Sequence, residues 1–250
     1  MGSQIADLAE MLTTANYVIA FTGAGISTES GIPDFRSRNG GLWTRISPEL
    51  LSAATLRADP ELFYRHFRVM EQYLEDKEPN QGHRALADLS RLGILRGIVT
   101  QNIDGLHQKS GSRRVLEVHG NRRLCRCLAC KAEYPYQLLG EQLAKGAAVP
   151  VSPCCTAVLR PNIVLFGDRM ADDFTLARQE AFRSDLAVAV GTSLTVFPAA
   201  EIPLSAGRLV IINSEKTEFD HQAAMVVQGP AGPVLARLVE KIRAKRQAKA

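Results

Sequence analysis

The sequence predicts an α/β protein: a parallel β-sheet covered by helices on both faces, with a smaller cysteine-bearing and helical unit inserted into it. Two observations carry that expectation. Four short apolar runs rich in β-branched residues each end in a small polar cluster, the composition of strands buried on both faces. All five cysteines, Cys125, Cys127, Cys130, Cys154 and Cys155, fall in one short stretch of a 250-residue chain. A disulfide framework spreads its cysteines, whereas clustering of this kind points to a metal.

The elements follow in order. Residues 5–12 carry a helical pattern. The first strand, Tyr17-Val18-Ile19-Ala20-Phe21, runs into Thr22-Gly23-Ala24-Gly25-Ile26-Ser27. Residues 38–80 are helical and aromatic (Trp43, Phe63, Tyr64, Phe67, Tyr73). Residues 83–92 space Leu86, Leu89 and Leu92 on one helical face. A second strand, Gly97-Ile98-Val99-Thr100, runs into Gln101-Asn102-Ile103-Asp104. Residues 121–157 hold the cysteines. A helix at 174–182 leads to a strand, Leu186-Ala187-Val188-Ala189-Val190, and Gly191-Thr192-Ser193. The last strand, Leu209-Val210-Ile211-Ile212, ends in Asn213-Ser214, and a helix at 234–242 follows. On this reading residues 1–37, 81–120 and 158–250 form the large domain, and 38–80 with 121–157 the small one. Ligands of parallel sheets bind beyond the carboxyl ends of the strands, so the four polar clusters should meet in one crevice.

Composition excludes some classes. With 46% hydrophobic and 22% charged residues the chain is of globular type. No apolar run is long enough to cross a bilayer, and residues 1–10 are too polar for a signal peptide, so the expectation is a cytoplasmic protein without a membrane partner. A net charge of +4 is too small to argue for direct nucleic-acid binding. The densest basic run, residues 241–246, reads as the solvated, fraying end of the last helix. Nothing in the sequence fixes the oligomeric state.

Gly23-Ala24-Gly25-Ile26-Ser27 after a strand suits a tight turn against a pyrophosphate, met by backbone N–H groups. It is not the full G-x-G-x-x-G, and no acidic ribose ligand follows at the usual distance. Asn213 is a substitute ribose ligand. Cys127-x-x-Cys130 is half of a zinc knuckle.

Taken together and in order, five segments resemble the signatures of the sirtuin family: Gly-Ala-Gly-Ile-Ser followed by Gly31-Ile32-Pro33-Asp34-Phe35-Arg36-Ser37; Thr100-Gln101-Asn102-Ile103-Asp104-Gly105-Leu106-His107; Val118-His119-Gly120 before Cys-x-x-Cys; Arg160-Pro161-Asn162-Ile163-Val164-Leu165-Phe166-Gly167-Asp168; and Val190-Gly191-Thr192-Ser193-Leu194. The resemblance spans roughly residues 22–213. It implies a Rossmann-like NAD-binding domain, a small zinc and helical domain, and NAD⁺-dependent removal of acyl groups from protein lysines, giving nicotinamide and O-acyl-ADP-ribose. By the same resemblance Gly23, Ala24, Gly25, Thr28, Arg36, Gln101, Gly191, Thr192, Ser193 and Asn213 contact NAD⁺. Phe35, Ile103 and Asp104 line the nicotinamide pocket. Val164, Phe166 and Gly167, facing Leu194, Thr195 and Val196, clamp the acyl-lysine substrate as an added strand. Phe35 is suited to screening a cation-like sugar from water. His119 is the general base, since a histidine titrates near neutrality. Asn102 positions ribose or water. The other histidines, His66, His83, His107 and His221, read as core residues.

Two departures are visible. The family's second cysteine pair is also Cys-x-x-Cys, but its first position here is Ser152. Zn²⁺ is then expected on Cys127, Cys130, Cys155 and Cys154, with Cys125 close behind as the alternative fourth ligand. Sirtuins that take dicarboxyl acyl groups carry Tyr-x-x-Arg on a helix; here Phe67 stands three after Tyr64, and Arg68 four after. That favours acetyl over succinyl groups. A sirtuin-fold ADP-ribosyltransferase and a non-catalytic NAD- or zinc-binding module are the competing readings.

Overall fold

The computed structural model describes residues 2–35, 41–44 and 46–248. Six parallel strands form the large sheet, in the order β3 (Val115–Glu117), β2 (Leu95–Thr100), β1 (Val18–Thr22), β7 (Leu186–Val190), β8 (Leu209–Asn213) and β9 (Met225–Gln228). Side chains alternate across a strand, so each central strand feeds two cores. Val18 and Ala20 face one layer; Ile19 and Phe21 face the other. On the first face α1 (Gly2–Thr14), α4 (Gln81–Arg91) and α9 (Ala231–Gln247) lay down Leu8, Leu12, Leu86, Leu89, Leu235 and Leu238. On the second, α7 (Asp173–Arg183) and α8 (Glu201–Leu204) contribute Ala177, Ala181 and Ile202. The short α5 (Leu106–Lys109) follows the β2 loop.

The second unit is built on a three-stranded antiparallel sheet, β5 (Glu133–Pro135), β4 (Gly120–Cys127) and β6 (Leu159–Ile163). It packs with α2 (Ala53–Ala58), α3 (Pro60–Leu74) and α6 (Tyr136–Ala144) around Phe63, Tyr64, Phe67, Leu139 and Leu159. Asp59 caps α3 by accepting from the Leu62 N–H at 2.9 Å, with Pro60 in the first turn.

Two sequence expectations need correction. Residues 159–163, expected in the large domain with the rest of 158–250, pair with β4 and so belong to the small sheet. Pro161 cannot donate to a ladder, and β6 is an edge strand, where that is tolerated. The basic run 241–246 is not a fraying end. α9 continues through it, Arg243 pairs with Asp88 of α4 at 2.9 Å, and Lys245 pairs with Glu10 of α1. The short strands β3, β5 and β9 were too brief to show a period in the sequence.

Candidate active site and metal centre

The sheet order reverses at β1: the chain proceeds to β2 on one side and returns to β7 on the other. That switch point opens a crevice at the strands' carboxyl ends. The loops after β1 and β7 interlock there. The Gly25 N–H donates to the Gly191 carbonyl at 2.8 Å, and a Cβ on Gly25 would sit 2.8 Å from that oxygen. Gly191 has φ +58°, and a Cβ there would lie 2.3 Å from the Ile26 nitrogen. Glycine is therefore required at both positions by close backbone approach, not only by turn geometry.

All four polar clusters line one cleft of about 420 Å³: Gly23, Ala24, Gly25 and Thr28; Gln101, Asn102, Ile103 and Asp104; Gly191, Thr192 and Ser193; and Asn213. The Gln101 amide donates to the Thr192 hydroxyl at 3.0 Å, tying two loops together. Asn102 is buried; its amide donates to the Gly23 carbonyl and the Ser27 hydroxyl, both at 3.1 Å. Ser27 in turn donates to Asp104 Oδ2 at 2.7 Å, while the Leu106 N–H donates to Oδ1 at 2.9 Å. Ser27, buried and joining Asn102 to Asp104, was not singled out in the sequence. Its signal was its place inside the glycine loop.

His119 follows β3 and lies half-buried at the cleft. Its Nδ1 is 3.0 Å from the Gln101 carbonyl. A carbonyl can only accept, so in the neutral ring Nδ1 carries the proton and Nε2 holds the basic lone pair. Phe35 forms an aromatic wall with Trp43 (4.9 Å between centroids), and Trp43 continues to Phe166 at 5.7 Å. Arg36 lies outside the described residues. His83 and His107 are buried, as expected for core histidines, but His66 is only half-buried and His221 is exposed.

Val164, Phe166 and Gly167 line the cleft on one side. Of the facing segment, Val196 lines it. Leu194 does not: it takes φ +57° and turns its side chain into the sheet–helix core at 1% exposure. Thr195 is exposed and bonds Ser193 at 2.8 Å. At the inner end, Phe67, Leu51 and Met70 supply an apolar floor. Tyr64 is fully buried and donates to the Leu159 carbonyl, and Arg68 leads away to the Ala147 carbonyl.

In the small unit the Sγ atoms of Cys127, Cys130, Cys154 and Cys155 all lie within 4.8 Å of one another. The Cys127–Cys155 separation is 3.4 Å and Cys130–Cys155 is 3.9 Å. Four thiolates at zinc–sulfur distance around one tetrahedral ion would be about 3.8 Å apart, so the set fits Zn²⁺ and leaves no open position. Cys125 is excluded. It is buried in the aromatic core, donates to the Pro135 carbonyl at 3.6 Å, and burial pushes its thiol pKa up. Ser152 is buried beside the cluster, 3.4 Å from Cys155 Sγ, and its hydroxyl is the main influence bringing the Cys127 thiol down to about 6. The residue in the family's ligand position thus serves as a hydrogen-bond partner of the thiolates.

A doubly covered parallel sheet with a glycine loop at its switch point, joined to a small cysteine-cluster unit, defines a dinucleotide-binding class carrying a structural metal site. The Sir2 family model matches residues 23–198, and with the relatives below it shows that this chain belongs to the Sir2 family. It is 44% identical over 239 residues to an NAD-dependent protein deacetylase of Caldivirga maquilingensis, covering 94% of this chain and 92% of that protein. It is 38% identical over 255 residues to NAD-dependent protein deacylase 2 of Archaeoglobus fulgidus, with both chains fully covered. A solved structure described under the mechanism and regulation of Sir2 enzymes matches with TM-score 0.92 at 38% identity, covering 98% of this chain and all of that one. A Sir2 structure with a p53 peptide and NAD⁺ matches with TM-score 0.86 at 34% identity, covering 94% and 97%.

Proposed function

We propose that this chain is an NAD⁺-dependent protein-lysine deacylase in which His119 is the general base. The observation that carries the reading is the convergence of Asn102, Asp104 and His119 on a single cleft beside the interlocked glycine loops. Bound NAD⁺ would supply an electrophilic ribose carbon and nicotinamide as its leaving group. The donor set suits it: Thr28, Gln101, Ser193 and Asn213 offer hydroxyls and amides for phosphate and ribose oxygens.

The chain's own residues then have distinct tasks. Asp104, held by Ser27 and the Leu106 N–H, orients the carboxamide. Phe35, backed by Trp43, keeps water from the ribose face. Asn102 fixes a ribose hydroxyl or a water. His119, oriented through Nδ1, takes a proton from a ribose hydroxyl at Nε2. Val164, Phe166 and Gly167 on one side and Val196 on the other hold the substrate backbone, and Arg36 joins the NAD⁺ contacts. Four free thiols grouped for a metal support a reducing, cytoplasmic setting.

The test is mass spectrometry of the purified protein with an acetyl-lysine peptide and NAD⁺. Nicotinamide and O-acetyl-ADP-ribose are expected in equal amounts. ADP-ribose attached to protein, without deacetylated peptide, would replace this reading with that of a transferase.

A further inference from the structure

Next to the acyl-lysine cleft lies a second groove, of about 820 Å³. β4 and β6 form one wall, residues 167–173 the other, and Arg57 at the end of α2 closes one side. The two cavities are continuous: Ile163, Val164, Gly167, Asp168 and Met170 line both. A peptide held along Val164 and Gly167 therefore leaves the cleft into this groove.

The groove's charges are uneven. Arg160 and Asp168 neutralise each other in a buried pair at 2.5 Å, and Arg123 is paired with Glu117. Asp173 accepts the Glu117 N–H at 2.7 Å. Asp172 sits at the N-terminus of α7, whose dipole already meets a negative charge. Arg57, Arg126 and Arg169 are exposed and enter no salt bridge among the described residues. The groove therefore presents three exposed guanidinium groups outside any salt bridge among the described residues, Arg57 also helping to hold the Asp168 carboxyl below its ordinary range, and each is a planar fork matched to a carboxylate.

We propose that this groove selects substrates with acidic residues on one flank of the acyl-lysine. The inference rests on the deacylase reading above. An extended chain rises about 3.3 Å per residue, so side chains two to four positions from the lysine reach about 7–13 Å along the groove. Because the groove lies at one end of the cleft, only one flank gains. Exposed pairs are screened by salt and act mainly on encounter and affinity, so the benefit lies in KM and fades at high ionic strength.

The experiment compares three acetyl-lysine peptides: neutral flanks, glutamates two to four residues before the lysine, and glutamates two to four residues after it. Each is run with the unaltered enzyme and with the triple variant Arg57→Gln, Arg126→Gln, Arg169→Gln, at low and high salt. The expected result is a gain of roughly fivefold in kcat/KM for one acidic peptide at low salt. High salt and the triple variant should each abolish it, leaving the neutral peptide's kinetics unchanged. Turnover of the neutral peptide with no gain from either acidic flank, or a gain that survives in the triple variant, overturns the proposal. If no peptide is turned over, the deacylase reading fails, and fluorescence anisotropy of the same peptides decides the groove separately. Duplex DNA binding lost in the triple variant, with peptide affinity untouched, would also overturn it.

Discussion

His119 is half-buried at the edge of the cleft, where the Gln101 carbonyl orients it, so its removal should affect chemistry more than stability. His119→Ala is expected to lower kcat at least 100-fold, within the range of general-base contributions, while unfolding free energy changes by about 0.5 kcal/mol or less. Single-turnover kinetics with denaturant melts checks both, and near-normal turnover would remove His119 as base. Gly191 is the opposite case. Its positive φ and the 2.3 Å approach to Ile26 leave no room for a methyl group. Gly191→Ala should cost about 1–3 kcal/mol and raise KM for NAD⁺, because the β1 loop must move with it. At the inner end of the cleft, Phe67 offers no partner to a carboxylate, and desolvating that charge costs several kcal/mol. Acetyl-lysine should be preferred over succinyl-lysine by more than tenfold in kcat/KM. Arg68→Ala should leave that ratio unchanged, since Arg68 is engaged with Ala147.

At the scale of elements, the loops bearing the cysteines depend on their metal. Residues 129–131 after β4 and residues 153–156 are exposed around the cluster, and Lys131 and Thr156 sit at positive φ. Folding of this piece is therefore coupled to ligation. The purified protein should carry one zinc per chain by elemental analysis. Cys154→Ser should lose it, while Cys125→Ser should keep it and show only a modest loss of Tm, having no part in the cluster. Retention in the first variant and loss in the second would reverse the ligand assignment.

Across the whole molecule, the two buried histidines couple stability to pH. His83 and His107 face each other at 4.9 Å beneath the glycine loop. Burial brings His83 down to about 4 and His107 well below the ordinary range, so both are neutral in the fold. The unfolded chain binds protons at these sites near pH 6.5 and the folded chain does not. Stability is then complete above about pH 6.5 and falls as pH drops through 6 toward 4. A Tm series over that interval should decline steeply, and replacing both histidines with glutamine should flatten it.

Much of this was legible in the sequence because it is local. Continuous apolar strands ending in glycine and polar clusters demand a covered parallel sheet and a crevice at its edge, and the His119, Asn102 and Asp104 segments carry their context within a few residues. Other features depend on partners distant in the chain. Sequence separates Cys154 from Cys125 only narrowly as the fourth ligand; the fold decides it, because β4 turns Cys125 into an aromatic core and a tight turn carries Cys154 to the cluster. Residues 159–163 joined the small sheet because β4 offered them a ladder, and Leu194 left the cleft because a left-handed turn aimed it inward. The Ser27–Asp104 bond and the Trp43–Phe166 contact join residues far apart in the chain. Sequence periodicity records which face a residue prefers; which neighbour it meets there is decided only when the elements close on one another.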